Sequence, residues 1–186
     1  VIGIFRLAQQ IQSLCAAQRW QFSFIGGLAL QRWGEPRVTE DVDLTLLTGF
    51  EREDRFIDEF LRHFAPRLPD AKEFALVNRV LLLQSANGIG IDVALGGLPY
   101  EELVVDRATP FAFFADVSLL TCSAEDLIVL KAFADRPRDW QDIQGIIVRQ
   151  DSLDWTYIET QLQPLAEVKE APHILDRLMQ LRNRES

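Results

Sequence analysis

The chain has 186 residues, 48% of them apolar with 12 Phe and 4 Trp, and it carries 28 acidic against 19 basic residues for a net charge of -9. That apolar content fills the core of one domain, or of an α/β unit with a helical annex, and excludes global disorder. The acidic balance works against bulk attraction to nucleic acid or to an anionic membrane, so that any such contact would need a local basic patch.

Two cysteines, Cys15 and Cys122, are far apart and in no C-x-x-C arrangement, which leaves a disulfide framework and a four-ligand zinc site without support. The longest apolar runs, such as Val80–Leu83, fall far short of a membrane span, and Val1–Leu7 lacks the long apolar segment of a signal peptide. The first residue is Val rather than Met, which points to a trimmed or missing start. A cytoplasmic monomer or small oligomer with no membrane contact is expected.

In chain order, Leu7, Ile11, Leu14 and Cys15 share one stripe and predict a helix over Phe5–Arg19. A strand over Trp20–Ile25 leads into Gly26-Gly27, and Leu28–Trp33 reads as a short helix. Gly34–Glu40 contains Pro36 and reads as a loop before a strand at Asp41–Thr48. Phe56, Phe60, Leu61 and Phe64 place a helix over Glu51–Phe64, closed by Pro66 and Pro69. Strands over Arg79–Gln84 and Ile89–Leu95 are joined by a hairpin turn at Ser85-Ala86-Asn87-Gly88, and Tyr100–Val105 reads as a brief helix. Phe111–Leu120 fits a strand or an extended crossing segment, with Phe111-Ala112-Phe113-Phe114 expected in the core or in a cleft wall.

From Ser123 the pattern turns helical. Ser123 is placed to cap a helix whose first turn holds Glu125 and Asp126. Helices then fit Ala124–Ala134, with a stripe of Leu127, Leu130 and Ala134, followed by Arg138–Gln150, Asp154–Leu165 and Ala171–Arg182. The expected fold class is α/β, a mixed sheet with flanking helices over residues 1–120 followed by a helical unit over 121–186. Neither portion is basic.

The chemistry concentrates in a few residues. The pair Gly26-Gly27, between a strand and a helix, lets backbone N–H groups approach an anion at a helix N-terminus; its plainer reading is a tight strand–helix turn. Asp41 and Asp43 are two apart on a strand and so share a face, a costly juxtaposition unless a cation joins them or the strand is a solvated edge. Magnesium, a hard ion that prefers oxygen, suits such a pair. Asp92, flanked by apolar residues, is either a kink at a sheet edge or a third ligand, and three carboxylates can bridge two divalent ions for phosphoryl or nucleotidyl transfer. Arg37 precedes the acids in the loop and reads as a phosphate contact or an internal ion pair. The isolated His63 and His173 and the two cysteines supply no nucleophilic site.

Gly26-Gly27, then Arg37-x-Thr39-x-Asp41-x-Asp43-Leu44, then Ile91-Asp92-Val93 resembles the DNA polymerase β-like nucleotidyltransferase superfamily, and more closely the AbiEii-type, or type IV toxin, nucleotidyltransferases. Ser123-x-Glu125-Asp126-Leu127-Ile128-x-x-Lys131 and Arg136-Pro137-Arg138-Asp139-Trp140-Gln141-Asp142-Ile143 extend the resemblance to residues 20–148. The resemblance implies an enzyme that moves a nucleoside monophosphate from an NTP to an acceptor hydroxyl with two Mg²⁺ ions and releases pyrophosphate. The acceptor would be an RNA 3′ end, a protein or a small molecule, and a cognate antitoxin protein would be a further partner. Asp41, Asp43 and Asp92 would be the metal ligands and catalytic residues. Gly26, Gly27, Arg37, Thr39 and Lys131 would serve nucleotide binding; at helical spacing, Asp139 and Asp142 read as supporting groups that could pair with Arg136, Arg138 or Lys131 and hold the basic side chains in place. Many relatives carry Gly-Ser where this chain has Gly26-Gly27, so the phosphate seat here would rest on backbone N–H groups. A non-catalytic binding or regulatory module on the same fold is the alternative.

Overall fold

The computed structural model describes residues 2–185. The chain divides into two compact units, Val1–Leu28 with Val38–Cys122, and Ala29–Arg37 with Ser123–Ser186. Val1 and Ser186, the outer ends of the two expected domains, lie outside the described residues. Residues 29–37 therefore group with the helical unit, whereas the sequence pattern alone placed them with the sheet.

The first unit is built in the order α1 (Ile2–Ala17), β1 (Phe22–Phe24), the first turn of α2 (Gly26–Trp33), β2 (Asp41–Leu47), α3 (Asp54–His63), β3 (Ala65–Pro66), α4 (Ala71–Asn78), β4 (Val80–Gln84), β5 (Gly90–Gly96), α5 (Pro99–Asp106), β6 (Thr109–Phe114) and β7 (Val117–Thr121). The described strands form one sheet in the order β3-β4-β5-β2-β1-β7-β6. The sheet is mixed: β2 pairs with β5, and β1 with β7, in parallel, and the other neighbours are antiparallel.

Alternation along the strands sorts the side chains onto two faces. Val42, Leu44 and Leu46 on β2, Ile91, Val93 and Leu95 on β5, and Leu81 and Leu83 on β4 are all buried on one face. They share a core with Ile4, Phe5, Leu7, Ala8 and Ile11 of α1 and with Phe56, Ile57 and Phe60 of α3. The opposite face of β2 and β5 carries the polar residues considered below.

Three local features differ from the sequence pattern. The glycines do not precede the helix but form its first turn. The short helix α4 was not anticipated; its eight residues bury only Ala71 and Ala75, too few to set a visible period. Phe111–Leu120 is two strands, with the chain turning at Ala115-Asp116, a pair that carries neither Gly nor Pro. The aromatic run lies on β6, an edge strand, and is mostly exposed; Phe113 is partly buried against the core, and the rings of Phe113 and Phe114 lie 5.0 and 5.1 Å from the Phe5 ring centroid.

The second unit contains α6 (Ala124–Ala134), α7 (Pro137–Arg149), α8 (Trp155–Val168) and α9 (His173–Glu185), together with the rest of α2. The Ser123 hydroxyl accepts the Asp126 N–H at 3.1 Å and caps α6. Helix α6 packs against α7, α8 and α9, so it buries Ala124, Asp126, Leu127, Ile128, Val129, Lys131 and Ala132 rather than one stripe, while Ala134 is exposed. Among the described residues no helix is long and apolar enough to cross a membrane.

Candidate active site

The parallel pairing of β2 with β5 sets the geometry of the acids. Asp43 stands opposite Asp92, and Asp41 stands opposite Gly90. Partners across a ladder project to the same side, as do residues two apart on one strand. Asp41, Asp43 and Asp92 therefore share one face of neighbouring strands. Their sequence neighbours Val42, Leu44, Ile91 and Val93 are fully buried on the other face and pin this orientation.

Each carboxylate meets a different surrounding. Asp43 leans over the start of α2, where Gly27 N–H donates to its Oδ2 at 3.4 Å and the Ile25 N–H donates to its backbone carbonyl at 3.0 Å. Gly26 is in the left-handed region at φ +57°, and a Cβ there would collide with the Asp43 carboxylate. Thr39 sets its hydroxyl against Gly27 and donates to the Asp41 carbonyl at 3.3 Å. The Asp41 carboxylate lies over Gly90, which leaves it the space a Cβ would fill. Asp92 accepts from the Arg67 guanidinium. Burial pushes the Asp92 carboxyl above its ordinary range, and the nearby Asp41 charge adds to this, while Arg67 pulls the other way. Among the described residues no three His, Cys, Asp or Glu side chains are gathered as a bound metal would require.

Two residues of this face were not singled out from the sequence. Arg67 follows β3, and its N–H donates to the Leu82 carbonyl at 3.0 Å. Leu82 is opposite Asp92, which is opposite Asp43, so Arg67 continues one row across three strands. Gly90 opens β5 beneath Asp41. A glycine directly before an Ile-Asp-Val run was the one available signal for the second; nothing near Arg67 in the chain marks the first.

The remaining candidate residues form a cluster in the second unit. Arg37 donates to Asp142 through both Nε and Nη2, each at 2.8 Å. Lys131 Nζ donates to the same carboxylate at 2.6 Å and to Asp139 at 3.2 Å. Arg136 Nε donates to Asp139 at 2.6 Å. Lys131, Asp139 and Asp142 are buried, with Lys131 only 5% exposed. Burial pushes the Asp142 carboxyl up, but the hydrogen bonds and charges of Arg37 and Lys131 outweigh it and hold the group below the usual carboxylate range.

Residues 13–186 match the family described as nucleotidyl transferase AbiEii toxin, type IV TA system, and the chain belongs to that family. It has the nucleotidyltransferase fold. One similar solved structure is an antigenic nucleotidyltransferase-like protein from Paracoccidioides brasiliensis, 17% identical with a TM-score of 0.51, over 96% of this chain and 91% of that one. Another is the lincosamide antibiotic adenylyltransferase LnuA with lincomycin bound, 12% identical with a TM-score of 0.51, over 74% of this chain and 92% of that one. No curated protein matches the chain in sequence. These two likenesses bear on the fold; the family match supports a nucleotidyltransferase-like enzyme.

Proposed function

We propose that the chain is a Mg²⁺-dependent nucleotidyltransferase that moves a nucleoside monophosphate from an NTP to an acceptor hydroxyl and releases pyrophosphate. The observation that carries this reading is the placement of Asp41, Asp43 and Asp92 on one sheet face beside the Gly26-Gly27 turn. Family membership supports the same reaction class.

The donor chemistry suits magnesium, although the side chains are not gathered as around a bound ion: three hard carboxylates share one sheet face, and Gly90 and Gly26 leave space for two of them. Asp41, Asp43 and Asp92 would hold the ions, which when bound supply Lewis-acid stabilisation of charge on the phosphates and on the attacking oxygen. Gly26 and Gly27 at the start of α2 would present N–H groups to the phosphates, with Thr39 alongside. Asp92 would serve as, or stand beside, the base that takes the acceptor hydroxyl's proton.

The resemblance gives Arg37 and Lys131 nucleotide contacts. Their bonds to Asp142 and Asp139 support a bracing role, in which Asp139, Asp142 and Arg136 fix the two basic side chains. The family description also names a toxin–antitoxin system, which supports a cognate antitoxin as partner. The acceptor class, whether RNA 3′ end, protein or small molecule, is the point the test must resolve.

The test is incubation with labelled NTPs, Mg²⁺ and separate pools of RNA, protein and small hydroxylated acceptors. Labelled acceptor with released pyrophosphate is expected from the wild type and not from Asp43→Asn. Binding of Mg²⁺ and NTP without transfer to any pool would favour the non-catalytic module.

A further inference from the structure

We propose that Arg67 is the resident counter-ion of the carboxylate face and competes with a divalent cation for Asp92. The inference rests on the metal-dependent reading above and adds a residue to it.

Register brings the two groups together. The N–H of Arg67 is tied to the Leu82 carbonyl, so residue 67 is held level with Leu82, whose ladder partner is Asp92. The side chain crosses Leu82 on the acidic face, and its Nη2 donates to Asp92 Oδ1. Gly90 adds room: a Cβ at 90 would lie 3.3 Å from Arg67 Nη1, tight against the guanidinium. The absence of a side chain at 90 thus accommodates both the Asp41 carboxylate and the Arg67 head group.

Charge gives the arrangement its consequence. Asp92 faces Asp43 directly, and the Asp41 charge reaches it as well. A guanidinium on this face offsets the Asp41 charge at Asp92 when no metal is bound. A divalent ion ligated by Asp92 needs a carboxylate oxygen, and Oδ1 carries the arginine. Cation and metal also repel each other at that distance. The pair is about one-third exposed on each side, 31% for Arg67 and 34% for Asp92, so solvent can replace the guanidinium without unpacking the core. Arg67 is thus a positioning residue that acts through Asp92. It holds the acid in place without metal and gives it up when metal binds.

The measurement is Mn²⁺ affinity of the full chain without nucleotide, read by the electron paramagnetic resonance signal of free Mn²⁺. Circular dichroism checks the fold of each variant. Arg67→Ala and Arg67→Gln are expected to tighten Mn²⁺ binding about three- to tenfold, the size of removing one competing, partly exposed cation. Arg67→Lys, which keeps a positive charge at the site, should remain near the wild type. In an Asp92→Asn background, Arg67→Ala should change affinity much less, because the shared carboxylate charge is gone. Unchanged or weaker Mn²⁺ binding by folded Arg67→Ala, with wild-type binding that Asp43→Asn abolishes, overturns the assignment of Arg67 alone. Absence of Mn²⁺ binding in both the wild type and Arg67→Ala overturns the metal-dependent reading with it.

Discussion

Asp43 and Asp92 stand directly opposite each other on the neighbouring parallel strands β2 and β5, two acids at one rung whose flanking residues Val42, Leu44, Ile91 and Val93 are fully buried on the other face. Like charges facing across strands destabilise a sheet, by up to about 1 kcal/mol per pair. Under the proposed function, that cost is what metal binding at this face would offset.

Asp43→Asn separates the two effects. The amide keeps the size of the side chain and an oxygen that can accept the Gly27 N–H. Stability in urea is expected to be unchanged or to rise by up to about 1 kcal/mol. Nucleotidyl transfer is expected to fall by about 10²–10³-fold, the scale of losing one electrostatic group in an active site. A large loss of stability would show instead that Asp43 serves the fold.

Gly90 and Gly26 should respond differently to alanine. Gly90 has no left-handed φ, so Gly90→Ala is expected to leave secondary structure intact while pushing the Asp41 carboxylate aside and weakening Mn²⁺ binding. Gly26 has φ +57°, and alanine there adds about 1–2 kcal/mol of backbone strain to the clash with Asp43. Gly26→Ala should therefore lose stability as well as transfer. Denaturation curves and Mn²⁺ titrations on both variants check the contrast.

The buried cluster of the second unit predicts an asymmetry. Removing Asp142 leaves Arg37 without the acceptor of its paired bonds and leaves Lys131 with Asp139 alone at 3.2 Å. Breaking a buried pair in this way costs about 3–5 kcal/mol. Lys131→Met should cost less than Asp142→Ala, because Asp142 keeps Arg37 and Asp139 keeps Arg136. Thermal unfolding of the two variants measures the order.

The same carboxylate gives a pH dependence. The folded-state pKa of Asp142 is held below its unfolded value, so its stabilising contribution is complete above about pH 4 and is lost as the pH falls through the depressed folded value. The stability gap between wild type and Asp142→Asn should accordingly be constant near neutrality and close in the acid range below about pH 4. A gap that persists through that range would show that the ion pairs are not its source.

Much of this protein is readable from local order in the chain. The Asp41-Val42-Asp43-Leu44 alternation places acids on one face and core on the other because the strand period is two. The hairpin through Ser85–Gly88 and the Ser123 cap are carried by turn and cap chemistry within a few residues. Helix α4 and the turn between β6 and β7 lacked such signals, since neither is marked by a strong period or a glycine. Only the tertiary structure decided which acids face each other, that Arg67 lies against an aspartate 25 residues away, and that Lys131 is interior rather than exposed. The physical reason is the same in each case: strand register and helix packing join residues distant in the chain, and no local pattern encodes what stands opposite a side chain or what covers it.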